Sequence, residues 1–407
     1  MKRRDFLKLP GALGVSSLSV QQADAQAKDG VIDVLIVGAG VFGIWTALHL
    51  HRAGKRVAVI DAVSPAHSGA SSGGESRVTR CGYGSEDLYT EWAHRSMSEW
   101  RTLSQRSALP LFHEMGVLWI HKDGDALINA TATAFRKHDI PFRRWPAREL
   151  RSRFPVLSLT DDESGFFEAE GGGLMARRAV QQIAVELEAS GVRFLHGQVG
   201  PIHTSAGISG ALPSVNTVEG DHIEAEQFVI SCGPWLDRIC PDAMSGRLFV
   251  TRQDVIYFSV DREQTGALPV WMDLPFYGLP SLEGRGLKVA NDTHGNDVNI
   301  DEFERRVSPE VESQAREFLA RRFPSITEAP LSETRVCQYE NSANGDFVID
   351  EHPGLRNVWL AGCGSGHGFK HGPAVGAHIS GLVLGRENPI ARFNLASKEI
   401  RQNLTIR

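Results

Sequence analysis

Cysteine is scarce in this 407-residue chain: Cys81, Cys232, Cys240, Cys337 and Cys363 are an odd set, and none shows the short spacing of a metal knuckle. A densely cross-linked scaffold and a zinc module are thereby excluded. No apolar run is long enough to remain as a membrane span, and the one near the N-terminus is short and rich in Gly and Ser. Positive charge is not in surplus either. The formal net charge is −6, and because residues 1–27 hold four basic residues against two acidic ones, the rest is more acidic than the whole. That balance argues against a nucleic-acid partner, whose phosphates need a positive field. No internal repeat or low-complexity segment stands out. What remains is a chain of 42% hydrophobic and 23% charged residues, with length for two domains or an interleaved pair around a large core.

The clearest local pattern is VIDVLIVGAGVFGIWTALHLHRAGKRVAVID, residues 31–61. Its first run is apolar enough for a parallel strand covered on both faces. Gly38, Gly40 and Gly43 then form a GxGxxG turn whose missing side chains let the backbone approach a pyrophosphate at a helix start, where Val41 and Phe42 stand. A second strand ends at Asp61, followed by Ala62; a carboxylate there accepts from both ribose hydroxyls and repels a 2′-phosphate. Strand, helix and terminal acid in register predict a dinucleotide site.

Farther on, residues 171–200 read as a turn, an amphipathic helix and a strand whose end near Val199 meets an adenine. Gln227 to Asp237 is a buried strand running into a Gly-Pro turn, with Cys232, Gly233 and Trp235 as candidate cofactor contacts. Segments 109–170 and 241–335 differ: GVLWIHKD, RLFVTRQDVIYFSV and GRGLKVA alternate as antiparallel strands with one wet face do. The expected fold is therefore α/β: a Rossmann-like domain from 30–108, 171–240 and 336–390, interleaved with an antiparallel-sheet substrate domain from 109–170 and 241–335, and a tail over 391–407.

Cys337 to Lys370, CQYENSANGDFVIDEHPGLRNVWLAGCGSGHGFK, joins a Cys-x-aromatic pair, Cys337 and Tyr339, to an SGHGFK loop. This pattern resembles the flavin-linking end of the monomeric sarcosine oxidase family. The resemblance implies FAD held through a thioether from Cys337 to its 8α carbon, with Gly364, Gly366, His367, Gly368, Phe369 and Lys370 in the flavin loop. SSGGESRVTRCGYG resembles the family's segment beside the flavin, which implies cofactor contacts at Ser71, Ser72, Ser76 and Arg77. It also implies that Arg80 and Lys370 together grip a substrate carboxylate, a task that suits arginine's two-pronged donor. The segment from Tyr277 to Gly295 resembles the family's strand pair, which implies Lys288 over the flavin, where an ammonium stabilises the anion made when O2 is reduced. Taken singly, these residues also admit plainer readings: a buried thiol at 337, a solvated arginine at 80, an edge-strand lysine at 288.

Two departures stand out. The family's SxHGxxR histidine is replaced by Gly73, and the histidine four residues after the oxygen-side lysine by Asp292. Loss of bulk at 73 is expected to open the pocket, and Asp292 to attract a cation, so a substrate bulkier than sarcosine is expected. His294 is expected on the opposite strand face. His367 and His371, spaced i, i+4, lack a third metal ligand, so no metal is expected. The reading is an FAD-dependent oxidase of a secondary amine or N-substituted amino acid: hydride goes to the flavin, the imine hydrolyses and O2 becomes hydrogen peroxide. A dehydrogenase passing electrons to a quinone or periplasmic carrier, and an exported flavin-binding protein without turnover, stand as alternatives. The start, MKRRDFLKLPGALGV with Arg3 and Arg4, resembles a twin-arginine signal over 1–27. It implies the export machinery as a partner, a periplasmic or exported protein without stable membrane insertion, and cofactor loading before export. Oligomeric state is left open, with a monomer favoured.

Overall fold

Ile32–Val37 is built from β-branched and aliphatic residues that are almost all buried, as a central strand flanked on both faces requires. The computed structural model describes residues 31–399; the expected signal at 1–27 and the end of the expected tail lie outside the described residues. Val57–Asp61 pairs in parallel with Ile32–Val37 on one side, Val34 opposite Val57, and His222–Ile230 pairs in parallel on the other. The sheet runs Val348–His352, Leu355–Gly362, His222–Ile230, Ile32–Val37, Val57–Asp61, Arg193–His196, with Ser214–Asn216 attached to His222–Ile230. Helix Val41–Arg52 crosses between the first two strands in sequence and packs on helix Gly372–Val383. That close crossing needs Gly376, where a Cβ would lie 2.6 Å from the Trp45 carbonyl carbon.

An eight-stranded sheet forms the other body: Leu331–Ser342, Leu248–Phe258, Leu287–Asn291, Phe276–Leu279, Val270–Asp273, Val117–Lys122, Glu163–Glu168, Phe142–Pro146. Every neighbour is antiparallel except Val270–Asp273 beside Val117–Lys122. Strand Leu331–Ser342 crosses the boundary expected at 336, so Cys337 and Tyr339 project from the edge of this sheet. A small three-stranded sheet, Ser76–Thr79, Gly172–Met175 and Phe112–Glu114, joins chain from both expected domains and carries Arg77. No helix among the described residues is long and apolar enough to cross a membrane.

Arg322, fully buried at the end of helix Pro309–Arg322, ties this helix to the eight-stranded sheet. Its Nε donates to Asp273 Oδ2 at 2.8 Å, Nη2 to Glu163 Oε1 at 2.6 Å, and Nη1 to the Ser158 carbonyl at 2.7 Å. Removing one partner of a buried ionic cluster strands the others, at a cost of about 3 to 5 kcal/mol. Arg322→Ala should therefore lower the urea midpoint at unchanged slope, and Arg322→Lys should recover little because an ammonium cannot bridge both carboxylates in one plane.

Candidate active site

The turn after Ile32–Val37 opens onto a cavity of about 550 Å3. Gly38 has φ +103° and a Cβ there would lie 2.3 Å from the Ser231 carbonyl oxygen; at Gly43 it would lie 2.1 Å from the Gly38 oxygen. Both glycines are demanded by the protein's own packing. Gly40 is different: a Cβ would meet only Ser72 Oγ, at 3.6 Å, and its φ of −77° suits any residue. The bare backbone at Gly40 thus leaves room for a ligand at the helix start, where unpaired amides favour phosphate. Asp61 sits at its strand end with Oδ2 accepting from Ala39 N at 2.8 Å and Oδ1 from Val63 N at 2.9 Å, which fixes a carboxylate that keeps further acceptor capacity.

Most of the predicted cofactor residues line this cavity: Gly38, Gly40, Val41, Phe42, Asp61, Ala62, Ser71, Ser72 and Arg77 from the first part of the chain. Val199, Cys232, Gly233, Trp235, Gly364, Gly366, Gly368 and Phe369 close it from the other side. Val199 does so from beyond the strand, which ends at His196, through a bridge to Thr217. Gly43 and Ser76 do not line it; Ser76 instead offers its carbonyl to Arg77 and Lys288. A residue that motif reasoning missed is Glu340. Its carboxylate accepts from Ser71 Oγ and from Gly364 N, tying the two cofactor loops together, and burial raises its pKa. The glycine gap at the helix start and the acid at the strand end fit a dinucleotide such as FAD.

A smaller pocket of about 70 Å3 shares Arg77, Tyr339, Gly366 and Phe369 with the first. Cys337, His367 and Lys370 line this pocket and not the larger one, as do the predicted catalytic residues Arg80, Tyr277, Lys288 and Asp292. Cys337 and Tyr339, two apart on one strand, share a face. Arg77 Nη2 lies 3.6 Å from Cys337 Sγ. Lys288 is buried, donating to the Ser76 carbonyl at 3.1 Å; desolvation, and then Arg77's charge, push its pKa down to about 7. Lys370 is also buried, donating to Tyr83 Oη at 2.8 Å and the His367 carbonyl at 2.9 Å, and desolvation followed by Arg80 holds it well below a normal lysine.

Tyr83, which sequence reasoning did not single out, is the hub. Arg80 lies over its ring at 4.6 Å and Lys370 at 5.2 Å, while its hydroxyl also meets His371 Nε2 at 2.8 Å and His367 Nδ1 at 3.3 Å. The two histidines are thus turned toward a phenol, which accounts for their spacing. Glu168, also missed, accepts from Cys81 N, Gly82 N and Trp119 Nε1 and so fixes the loop that carries Arg80. Across the pocket Tyr339 Oη donates to Asp292 Oδ1 at 2.9 Å and is hydrogen-bonded to Tyr277. Burial raises the Asp292 pKa.

Two expectations are corrected. Gly73 does not open the pocket: it lines neither cavity, and a Cβ there would lie 1.9 Å from the His67 carbonyl oxygen, so backbone fills the space. His294 does not face away. Its strand ends at Asn291, so side-chain alternation stops, and the imidazole lines the pocket with its ring 5.9 Å from that of Tyr339.

The sequence profile of the FAD dependent oxidoreductase family matches residues 33–382. Monomeric sarcosine oxidase of Bacillus sp. (strain B-0618) is 30% identical over 391 residues, covering 92% of this chain and 99% of that protein. N-methyl-L-tryptophan oxidase of Salmonella heidelberg (strain SL476) is 28% identical over 368 residues, covering 87% and 95%. Among solved structures, L-proline dehydrogenase from P. horikoshii superposes with a TM-score of 0.79 at 16% identity over 91% of this chain and 99% of that one, a likeness in fold alone.

The Gly40 geometry gives a direct test. Gly40→Ala is free of clashes within the protein, so its apo form should unfold within about 0.5 kcal/mol of wild type. The added methyl stands in the ligand's space, and the flavin-to-protein absorbance ratio should fall; an unchanged ratio would show that no ligand approaches Gly40.

Proposed function

We propose, from the premise that this chain belongs to the FAD dependent oxidoreductase family, that it oxidises a secondary amine or N-substituted amino acid with O2 as electron acceptor. The observation that carries this reading is the buried pair Arg80 and Lys370, gathered on Tyr83 at one wall of a pocket that Lys288 and Cys337 also line. When bound, FAD supplies the redox chemistry, taking hydride from the carbon beside nitrogen and giving electrons to O2 as hydrogen peroxide. The chain supplies placement. Arg80 and Lys370 receive the substrate carboxylate, Tyr277 and Tyr339 wall the pocket, and the product imine hydrolyses after release. Lys288, dry and near neutrality in its pKa, supplies positive charge for oxygen's reduction. The Cys337 thiol, next to Arg77, is the attachment point for a covalent flavin. The N-terminal RRDFLK segment supports export through the twin-arginine route to the periplasm.

An anaerobic screen of N-methyl, N-alkyl, cyclic and D-amino acids should find at least one that bleaches the flavin, with peroxide formed on admitting air. Bleaching followed by sluggish reoxidation in air would instead identify a dehydrogenase, and no bleaching a binding protein. In acid precipitation the yellow colour should stay with the wild-type pellet and leave with the supernatant, or be absent, in Cys337→Ser. Complete release from loaded wild type would refute covalent attachment.

The pKa of Lys288 sets a pH dependence. The lysine carries its charge below about 7 and loses it above, so the reoxidation rate should fall as pH rises through that value. Lys288→Met should reoxidise slower by orders of magnitude, without that pH step, while anaerobic reduction changes much less. Equal losses in both half-reactions would assign Lys288 another task.

A further inference from the structure

Asp292 is a feature of the pocket that the carboxylate-binding cations and the oxygen-side lysine do not explain. It lines the same pocket as Arg80 and Lys370 and feels both charges, yet among the described residues it forms no ion pair with either. Its hydrogen bond from Tyr339 engages one of the roughly four acceptor positions of a carboxylate. A carboxylate that lines the same small cavity as two cations, without pairing with either, matches a molecule that carries charges of both signs. The pocket is small, about 70 Å3, which favours a compact ligand. With the ligand's carboxylate at Arg80 and Lys370, the positive group that every amino acid carries one carbon away is its amine, whereas a second cation depends on the side chain. The charge within reach is the amine itself.

We propose that Asp292 is the subsite for the substrate's own amine: it binds a compact zwitterionic amino acid through its ammonium and takes one proton from it. This deepens the oxidase reading and rests on it. In the step the N–H bond breaks, an O–H bond forms on Asp292, and the electron pair stays on nitrogen, which leaves the amine neutral as hydride donation from the adjacent carbon requires. Arg80, Lys370, Lys288 and His294 surround the carboxylate as positive or titratable neighbours, and the hydroxyls of Tyr277 and Tyr339 face it. Burial makes Asp292 more ready to hold a proton than an exposed aspartate. The assignment points to a compact substrate in place of the one bulkier than sarcosine that Gly73 and Asp292 suggest in the sequence.

Two ligands that cannot form an imine separate the possibilities: methylthioacetate, neutral at the position of nitrogen, and dimethylsulfonioacetate, cationic there. Each is titrated into the holoenzyme and followed by the flavin absorbance. The wild type should bind the sulfonium at least as tightly as the thioether. In Asp292→Asn the sulfonium should weaken by about tenfold or more, the scale of one lost charge pair in a desolvated site, with the thioether little changed; Asp292→Glu should restore part of the difference. Equal weakening of both ligands would make Asp292 only an anchor for Tyr339 and overturn the proposal, as would no change in either. If the Asn variant holds no flavin, tighter binding of thioether than sulfonium by wild type overturns it alone. For the proton, the rising pH limb of anaerobic reduction should move upward in Asp292→Asn, and an unmoved limb would overturn that part. Because neither ligand turns over, selective sulfonium binding together with no reduction by any amine would sink the oxidase reading and leave the ammonium site standing.

Discussion

Burying cations around one small pocket is the constraint on which the rest of this structure turns. Arg80, Lys288 and Lys370 are all buried, with Arg77 beside them, and a charge taken out of water costs several kcal/mol unless it is compensated. Much of the compensation comes from carbonyls and aromatic faces. Ser71 and Ser76 offer carbonyls to Arg77, Ser76 to Lys288 and His367 to Lys370, while Tyr83 and Trp119 lie against Arg80. Such partners lower the cost, and the buried carboxylate of Glu168 acts on Arg80 and Lys370 as well. An anion entering the pocket therefore meets cations already desolvated and held in place, which is the electrostatic preorganisation that catalysis uses.

The same demand explains why the loops are rigid where they meet. Lys370 and Arg80 come from distant parts of the chain and meet on Tyr83, which serves both. Ser71 and Gly364, equally distant in sequence, are held together by Glu340. Strand Leu331–Ser342 then delivers Cys337, Tyr339 and Glu340 in four consecutive positions, two facing the small pocket and Glu340 reaching the cofactor loops. A single edge strand thus brings the Cys337 thiol, a pocket wall and the loop tie together.

What could be read from the sequence was what is local. The GxGxxG turn, its two strands and Asp61 lie within about thirty residues, and the periodicities that specify them act over a few positions. The alternating runs at 117–122, 248–258 and 287–291 were equally plain, and each is a strand of the eight-stranded sheet. Glu168, Glu340 and Tyr83 were not legible because their partners are distant backbone amides or side chains, and a lone acid or phenol in a strand or loop carries no spacing signal. Gly73 misled for a related reason. A glycine where the resemblance leads one to expect a histidine suggests empty space, but here the His67 carbonyl occupies it. His294 was misplaced because strand alternation was carried past the strand's end at Asn291.

Charge reciprocity ties these pieces to function. Asp292 raises the proton affinity of both Lys288 and Lys370, while Arg77 and Arg80 lower it. A ligand carboxylate arriving at Arg80 and Lys370 acts in the same sense as Asp292, so anion binding and lysine protonation each favour the other, as linkage requires. The lysines are thus least charged when the pocket is empty, where an unpaired ammonium is most costly, and most charged when an anion is present. Asp292 limits the imbalance between those states. A histidine at that position, neutral or cationic, would add nothing negative to the pocket that Arg80 and Lys370 line, and the lysines would be driven lower still. An aspartate there keeps the cations closer to their charged forms and gives the pocket two poles of opposite sign, so that a zwitterion is complementary to it at both ends and a simple carboxylate at only one.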